Sequence, residues 1–277
     1  MSEEATKSVN LAEGWEHTEI DTSVAHPARM YDYYIGGKDN FPADREAAEK
    51  FLAHVPHGTA GPRASRAFLG RAVRFLLDAG VRQFLDIGTG IPGAGSASEV
   101  AHALVPDARV VCVDNDPVVL AHSRALLGYE GADRSTVVRG DLRQPAAILD
   151  DSAVRDALDF DEPVAVLLLL VLHFLRDTDD PAGVVQTLMR DLPSGSYLVV
   201  SHLTGDFNPE GAAAAARAYD KATEQLIPRG HKEIEGFFTG LEIVEPGVVQ
   251  IPFWRPDGDL PEHAARMWAY SGVGRKN

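Results

Sequence analysis

Three aspartates close or follow short apolar runs: Asp86 in Gln83-Phe84-Leu85-Asp86-Ile87, Asp114 in Val110-Val111-Cys112-Val113-Asp114, and Asp141 after Thr136-Val137-Val138-Arg139-Gly140. Behind the first comes Gly88-Thr89-Gly90-Ile91-Pro92-Gly93, a G-x-G-x-x-G pattern that lets a backbone approach a nucleoside ligand closely at a helix start. The glycines alone suit a nicotinamide dinucleotide as well as other nucleoside cofactors. The acids separate the readings. A carboxylate at Asp86 opposes a pyrophosphate but attracts an α-ammonium and a sulfonium. Asp114 lies 24 residues beyond Gly90 (114 minus 90), close to the spacing of roughly 20 usual for an acid that accepts from ribose hydroxyls. Asp141 can accept from an exocyclic adenine amine while the Leu142 amide donates to the ring. In order, the three acids describe the ammonium, ribose and adenine of S-adenosylmethionine, with Gly88, Thr89, Gly90 and Asn115 beside them. Plainer roles stay open: Asp86 bonding the loop amides, Asp141 capping a turn. Asp116 reads as the cap of a helix that opens at Pro117.

Acids so spaced need strand ends to carry them. Val81–Ile87, Arg109–Asp114, Thr136–Arg139, Val164–Val171 and Tyr197–Ser201 read as strands, alternating with helices over Ala94–Leu104, Pro117–Leu127, Pro145–Leu158 and Pro181–Leu192. A long alanine-rich helix is expected over Glu210–Ile227, then a closing strand pair, Leu241–Val244 with Val248–Ile251, about Pro246-Gly247. The alternation predicts an α/β fold: a doubly wound, mostly parallel, seven-stranded sheet with its ligand beyond the carboxyl strand ends. Upstream, Ala43–Phe51 and Pro62–Asp78 read as helices. On the second, Phe68, Leu69, Ala72, Phe75 and Leu76 share one face, while Arg63, Arg66, Arg71 and Arg74 share the opposite, expectedly solvated one. The organisation expected is a polar arm over 1–25 anchored by Trp15, a helical lid and cap over 26–80, and a Rossmann-like cofactor-binding domain over 81–277.

The chain carries 26 Lys and Arg against 41 Asp and Glu, a formal charge of -15. A field of that sign repels nucleic acid and anionic membranes and favours a neutral or cationic small molecule. The single cysteine, Cys112, sits in an apolar run as a small core residue, so no disulfide framework or cysteine-rich zinc site is expected. The longest apolar run, Val164 to Leu172, falls far short of the roughly 20 residues that cross a bilayer. The acidic start, Met1 to Glu4, is unlike a secretory signal. A cytoplasmic setting is expected.

A longer signature opens the chain: His26-Pro27-Ala28-Arg29-Met30-Tyr31-Asp32-Tyr33-Tyr34-Ile35-Gly36-Gly37-Lys38-Asp39-Asn40-Phe41, followed by Asp44-Arg45. Together with Gln83 to Gly90, Val113 to Pro117, Val171-Leu172-His173-Phe174 and Gly272 to Lys276, it resembles the DUF574 family of class I S-adenosylmethionine methyltransferases, across almost the whole chain. The resemblance implies methyl transfer to a small-molecule acceptor. The signature itself reads as a lid, with Gly36-Gly37 as hinge bringing Lys38 and Asn40 against the ligand and Tyr31, Tyr34 and Phe41 offering rings to a sulfonium or adenine. Its plainer reading is a helix-turn packed for stability. Displacement at a sulfonium needs alignment above all. His173, beyond the fourth strand, is the candidate base, and His202 the second candidate. A module that binds the cofactor without transferring its methyl is the rival in a different functional class.

Overall fold

The structure, a computed structural model, describes residues 20–55, 57–129 and 135–277. Trp15 and the expected arm as far as residue 19 lie outside the described residues.

Three helices come first: α1 (Pro27–Ile35), α2 (Pro42–Leu52) and α3 (Ala60–Asp78). Gly80, at φ +94, ends α3 and turns the chain into the sheet. The apolar runs that follow become β1 (Gln83–Ile87), β2 (Arg109–Asp114), β3 (Ser135–Arg139), β4 (Val164–Leu169) and β5 (Tyr197–Leu203), all parallel, in the order β3-β2-β1-β4-β5. Because side chains alternate, each strand feeds two cores. Leu85, Val111, Val166 and Val200 enter one, covered by α6 (Pro145–Asp150), α7 (Ser152–Ala157), α8 (Pro181–Arg190) and α10 (His231–Gly236). Phe84, Val110, Cys112, Leu167 and Val199 enter the other, covered by α3 and α4 (Ala97–Leu104). Between β2 and β3 the chain forms α5 (Pro117–Tyr129), and after β5 it forms α9 (Pro209–Ala216). A third apolar body joins Met30, Tyr34, Ala48, Phe51, Ala215, Tyr219 and Trp268, tying α1 and α2 to α9 as a cap.

Among the described residues the sheet has eight strands, not seven. β6 (Glu242–Ile243) and β7 (Val249–Gln250) do not pair with each other as the expected closing pair; both run antiparallel to β8 (Ala269–Arg275), which is itself antiparallel to β5. Pro246 has no amide to give a ladder, so the edge is interrupted there and counts as two short strands. β8 carries little strand signal because of Gly272 and Gly274. The ring of Phe238 requires them: a Cβ on Gly274 would lie 2.7 Å from Phe238 Cδ1.

Three expected helices also change. The Ala94 helix starts at Ala97, because Gly95 is at φ +76 and Ser96 caps the Glu99 amide. The helix expected over Pro145–Leu158 breaks at Asp151, whose carboxylate caps α7 through the Ala153 and Val154 amides. The alanine-rich helix stops at Ala216, passing into a 3₁₀ turn at Arg217–Tyr219. Beyond it the amides find distant partners, Thr223 donating to Ala25 O (2.9 Å) and Ile227 to His173 O (2.8 Å). Nor are the α3 arginines one solvated face. Arg71 is buried and donates to the carbonyls of Trp254 (2.8 Å) and Ile251 (3.0 Å). No helix among the described residues is long and apolar enough to cross a membrane.

Candidate functional site

One cleft crosses the carboxyl ends of β1 to β5 beneath the cap, with a volume of about 1650 Å³ measured out to its open mouth. Its strand-side wall is held by the backbone. The Gly88 amide donates to Val113 O (2.8 Å), closing the loop onto the end of β2. Gly88 sits at φ +76 with Val171 against it: a Cβ there would lie 2.6 Å from Val171 Cγ2. Gly90, at φ +67, donates to Asp114 Oδ2 (2.9 Å), and a Cβ built on it would meet nothing within 4 Å. That backbone is bare toward the cleft.

Asp86, Asp114 and Asp141 all line this wall, with Thr89, Asn115 and Leu142. Asp114 Oδ1 takes the Asp116 amide (3.0 Å) and Oδ2 the Gly90 amide, so each oxygen keeps lone-pair capacity for a ligand hydroxyl. Burial raises the Asp114 pKa, and those two amides oppose the rise. Asp86 accepts from Thr89 Oγ1 (3.1 Å). Its burial pushes the carboxyl up to about 6, with Thr89 and the nearby Arg66 charge pulling the other way. Asp141 is gripped by Arg143, through Nε (2.9 Å to Oδ1) and Nη2 (2.8 Å to Oδ2), and Arg143 continues to Glu224 Oε1 at 3.0 Å. Cys112, paired in register with Asp86, is buried, and its thiol is pushed up to about 12 chiefly by desolvation.

The N-terminal signature divides in two. Tyr31 and Tyr34 line the cleft, while Gly37, Lys38 and Asn40 stand off it. Asn40 Nδ2 donates to Asp32 Oδ2 (2.8 Å) and Gly37 O (3.1 Å), and the Asp39 amide also donates to Asp32 Oδ2 (2.9 Å). The turn is packed so tightly that a Cβ on Gly37 would fall 1.9 Å from Asp32 Oδ1. Lys38 is exposed. The rest of the signature fastens α1 and α2 to the end of β2. Arg29 Nε and His26 Nδ1 approach Asp116 Oδ2 at 2.8 and 2.9 Å, and the amides of His26 and Phe41 donate to the two oxygens of Asp44, each at 2.8 Å. Burial alone would raise the Asp116 pKa, but His26 and Arg29 outweigh it and hold the carboxyl at about 2. Asp116 also caps α5 through the Val118 amide (2.7 Å), as expected of it.

Arg66 lines the cleft beside the acids and was not singled out by the sequence reading. Its guanidinium lies 5.8 Å from the Tyr31 ring centre, and its stem passes Gly95, where a Cβ would come within 3.2 Å of Arg66 Cγ. No carboxylate lies within ion-pair distance of it among the described residues. One signal was present: no acid stands within four residues of Arg66 on α3, in a chain with an excess of acids.

His173 also lines the cleft and is 5% exposed. Its Nδ1 accepts the Leu203 amide (3.3 Å), which in a neutral ring leaves the hydrogen on Nε2. Burial, then His202 and Arg229, hold its pKa well below the usual histidine range. His202 is fully buried off the cleft, with Nδ1 2.6 Å from Leu203 O and Nε2 3.3 Å from Arg229 Nη1. It supports the strand end.

The residues present fit S-adenosylmethionine: carboxylates for its cationic and hydroxyl groups, a bare glycine backbone, and, in Arg66, a guanidinium without a carboxylate partner among the described residues. Comparisons with known proteins agree. Among curated proteins no sequence matches the chain. A DUF574 family protein from Streptomyces avermitilis MA-4680, whose crystal structure is known, is 44% identical; the match covers 94% of this chain and 100% of that one, with a TM-score of 0.87. A protein from Thermobifida fusca YX, provisionally assigned as a methyltransferase, is 38% identical, covers 95% and 99% of the two chains and gives a TM-score of 0.86. Magnesium protoporphyrin IX methyltransferase from Synechocystis PCC 6803, solved with S-adenosylhomocysteine, shares the fold at 12% identity, with a TM-score of 0.55 over 90% of this chain and 93% of that one. The sequence pattern described as S-adenosyl methyltransferase matches residues 13–277, and the chain belongs to that family.

Proposed function

We propose that the cleft seats S-adenosylmethionine along the strand-end acids and passes its methyl group to a small molecule held under the cap. In this reading Asp86 faces the ammonium, Asp114 the ribose hydroxyls, and Asp141 with the Leu142 amide the adenine. Arg66, rather than Lys38, pairs with the methionine carboxylate. The bound cofactor supplies a methyl group on an electron-poor sulfur; the chain supplies position and exclusion of water. The observation that carries the reading is the continuity of one cleft, charged along the strands and apolar under the cap. A sensor would need only the first half.

In this reading His173, which lines the same cleft, faces the acceptor as a hydrogen-bond donor from Nε2. To accept a proton there it would first have to give up the Leu203 amide.

Calorimetry with S-adenosylhomocysteine and NAD tests the cofactor site. S-adenosylhomocysteine is expected to bind and NAD not to. Asp114→Ala removes two charge-assisted hydrogen bonds of roughly 1.5 to 3 kcal/mol each, so affinity should fall on the order of 100-fold or more. Tighter binding of NAD, or an unchanged affinity in the variant, rejects the assignment.

A further inference from the structure

We infer that the acceptor is a neutral, flat aromatic molecule bearing a hydroxyl group, stacked against the cap and hydrogen-bonded by the Tyr34 and Tyr219 phenols. The inference rests on the cleft reading above and concerns its apolar half.

Tyr34 Oη and Tyr219 Oη lie 3.0 Å apart, brought together from α1 and the turn after α9. Both residues line the cleft and both are buried, at 5% and 4% exposure. Each phenol has one hydrogen, and only one of the two can lie between the oxygens. The second hydrogen and the remaining lone pairs have no partner among the described residues. They fit a ligand hydroxyl, which can both give and take a hydrogen bond. Burial raises the pKa of both phenols, so neither offers a negative charge.

Around this pair the wall is aromatic. Phe51 packs 5.3 Å from the Tyr34 ring and 5.9 Å from the Tyr219 ring, and Phe174 lies 5.7 Å from Tyr219 and 4.4 Å from His173. The rings therefore run from the cap to the strand end that carries His173. Trp268 lines the same cleft. Ring faces and edges of this kind favour a flat π-system over a saturated one.

Charge disfavours the alternatives. Arg143 and Glu224 offset each other, Asp141 joins the other strand acids and Arg66 in serving the cofactor, and the remaining lining arginine, Arg266, is exposed. A charged acceptor under the cap would have no counter-ion and would lose its hydration.

The test titrates 2-naphthol into the full-length protein loaded with S-adenosylhomocysteine, beside naphthalene, 2-naphthoate and saturated decahydro-2-naphthol. 2-Naphthol should bind at least fivefold more tightly than each of the three. Tyr34→Phe and Tyr219→Phe, with thermal midpoints confirming folding, should each weaken 2-naphthol about fivefold to tenfold, and Tyr219→Phe should leave S-adenosylhomocysteine affinity unchanged. Equal binding of naphthalene and 2-naphthol, preference for the anion or the saturated alcohol, or Phe variants that bind 2-naphthol normally would each overturn the inference. Failure of S-adenosylhomocysteine to bind would sink the cofactor reading alone, and the same comparison on unloaded protein would still decide the acceptor class.

Discussion

The two walls of the cleft are made by different means. Along the strands, position is fixed by the backbone: Gly88 and Gly90 donate to the end of β2, and the acids stand near strand ends, Asp86 one residue before the end of β1, Asp114 last in β2 and Asp141 just past β3. Under the cap, position is fixed by packing, with rings contributed by α1, α2, the turn after α9 and the turn after β4. The first wall suits a ligand whose groups never change. On the proposed reading, the second can change its occupant by exchanging one ring while the Gly88–Gly90 loop keeps its backbone bonds to β2.

Breaking the join between the walls should have the largest effect. Asp116 holds Arg29 and His26 at the end of β2. Asp116→Ala takes from the buried Arg29 its closer carboxylate and leaves Asp44 Oδ2 at 3.9 Å as the other one, at a cost of about 3 kcal/mol. Denaturant unfolding should show it, and a change under 1 kcal/mol would mean that the cap is fastened elsewhere. Next comes the choice between Arg66 and Lys38. Arg66→Ala should weaken S-adenosylhomocysteine roughly tenfold, the scale of one charge-assisted hydrogen bond, while Lys38→Ala should match the parent. Equal losses would return the methionine carboxylate to the signature loop.

A smaller effect follows from Asp86. Its carboxyl titrates at about 6 in the ligand-free fold, above its unfolded value, so folding gains from its protonation below that pH and loses the gain as pH rises through 6. Cofactor binding runs the other way, since the ammonium needs the carboxylate. Affinity for S-adenosylhomocysteine should therefore fall as pH drops below about 6. At pH 8, Asp86→Asn should bind more weakly yet melt about 5 °C higher. A variant that melts lower would show that the buried charge is not the cost inferred. The smallest expected effect is none at all: with Nδ1 occupied by the Leu203 amide, His173 should add no inflection near pH 6.5 to kcat/KM once an acceptor is found. An inflection that disappears in His173→Asn would make it the base.

How much of this could be read from the sequence depends on how far apart the cooperating residues lie. The five parallel strands and the three acids were legible because a strand, its loop and its carboxylate occupy some ten consecutive residues. The helices over Pro145–Leu158 and Glu210–Ile227 misled because their composition is helical while their amides and caps are claimed by tertiary partners, as Thr223 and Ile227 show. The signature was recognised as one unit, yet only its first turn, Tyr31 and Tyr34 reach the cleft, and Phe41 does not. Its glycines and Asn40 serve Asp32. Arg66 was hidden among arginines of one helix, of which Arg71 turned out to be buried and structural. The Tyr34 and Tyr219 pair, 185 residues apart, leaves no local trace.

The place of β8 in the sheet bears on how the molecule is assembled during synthesis. It lies between β5 and the short β6 and β7, yet it comes after all of them in the chain. Until residues 269–275 have been made, β5 presents an open apolar edge, and β6 and β7 have nothing to pair with. A nascent chain can order the Gly88–Gly90 loop early, but its sheet stays unfinished until residues 269–275 have followed. A chain halted before residue 269 would thus expose a strand edge to its neighbours, and the polypeptide would be most prone to aggregate just before translation reaches that strand.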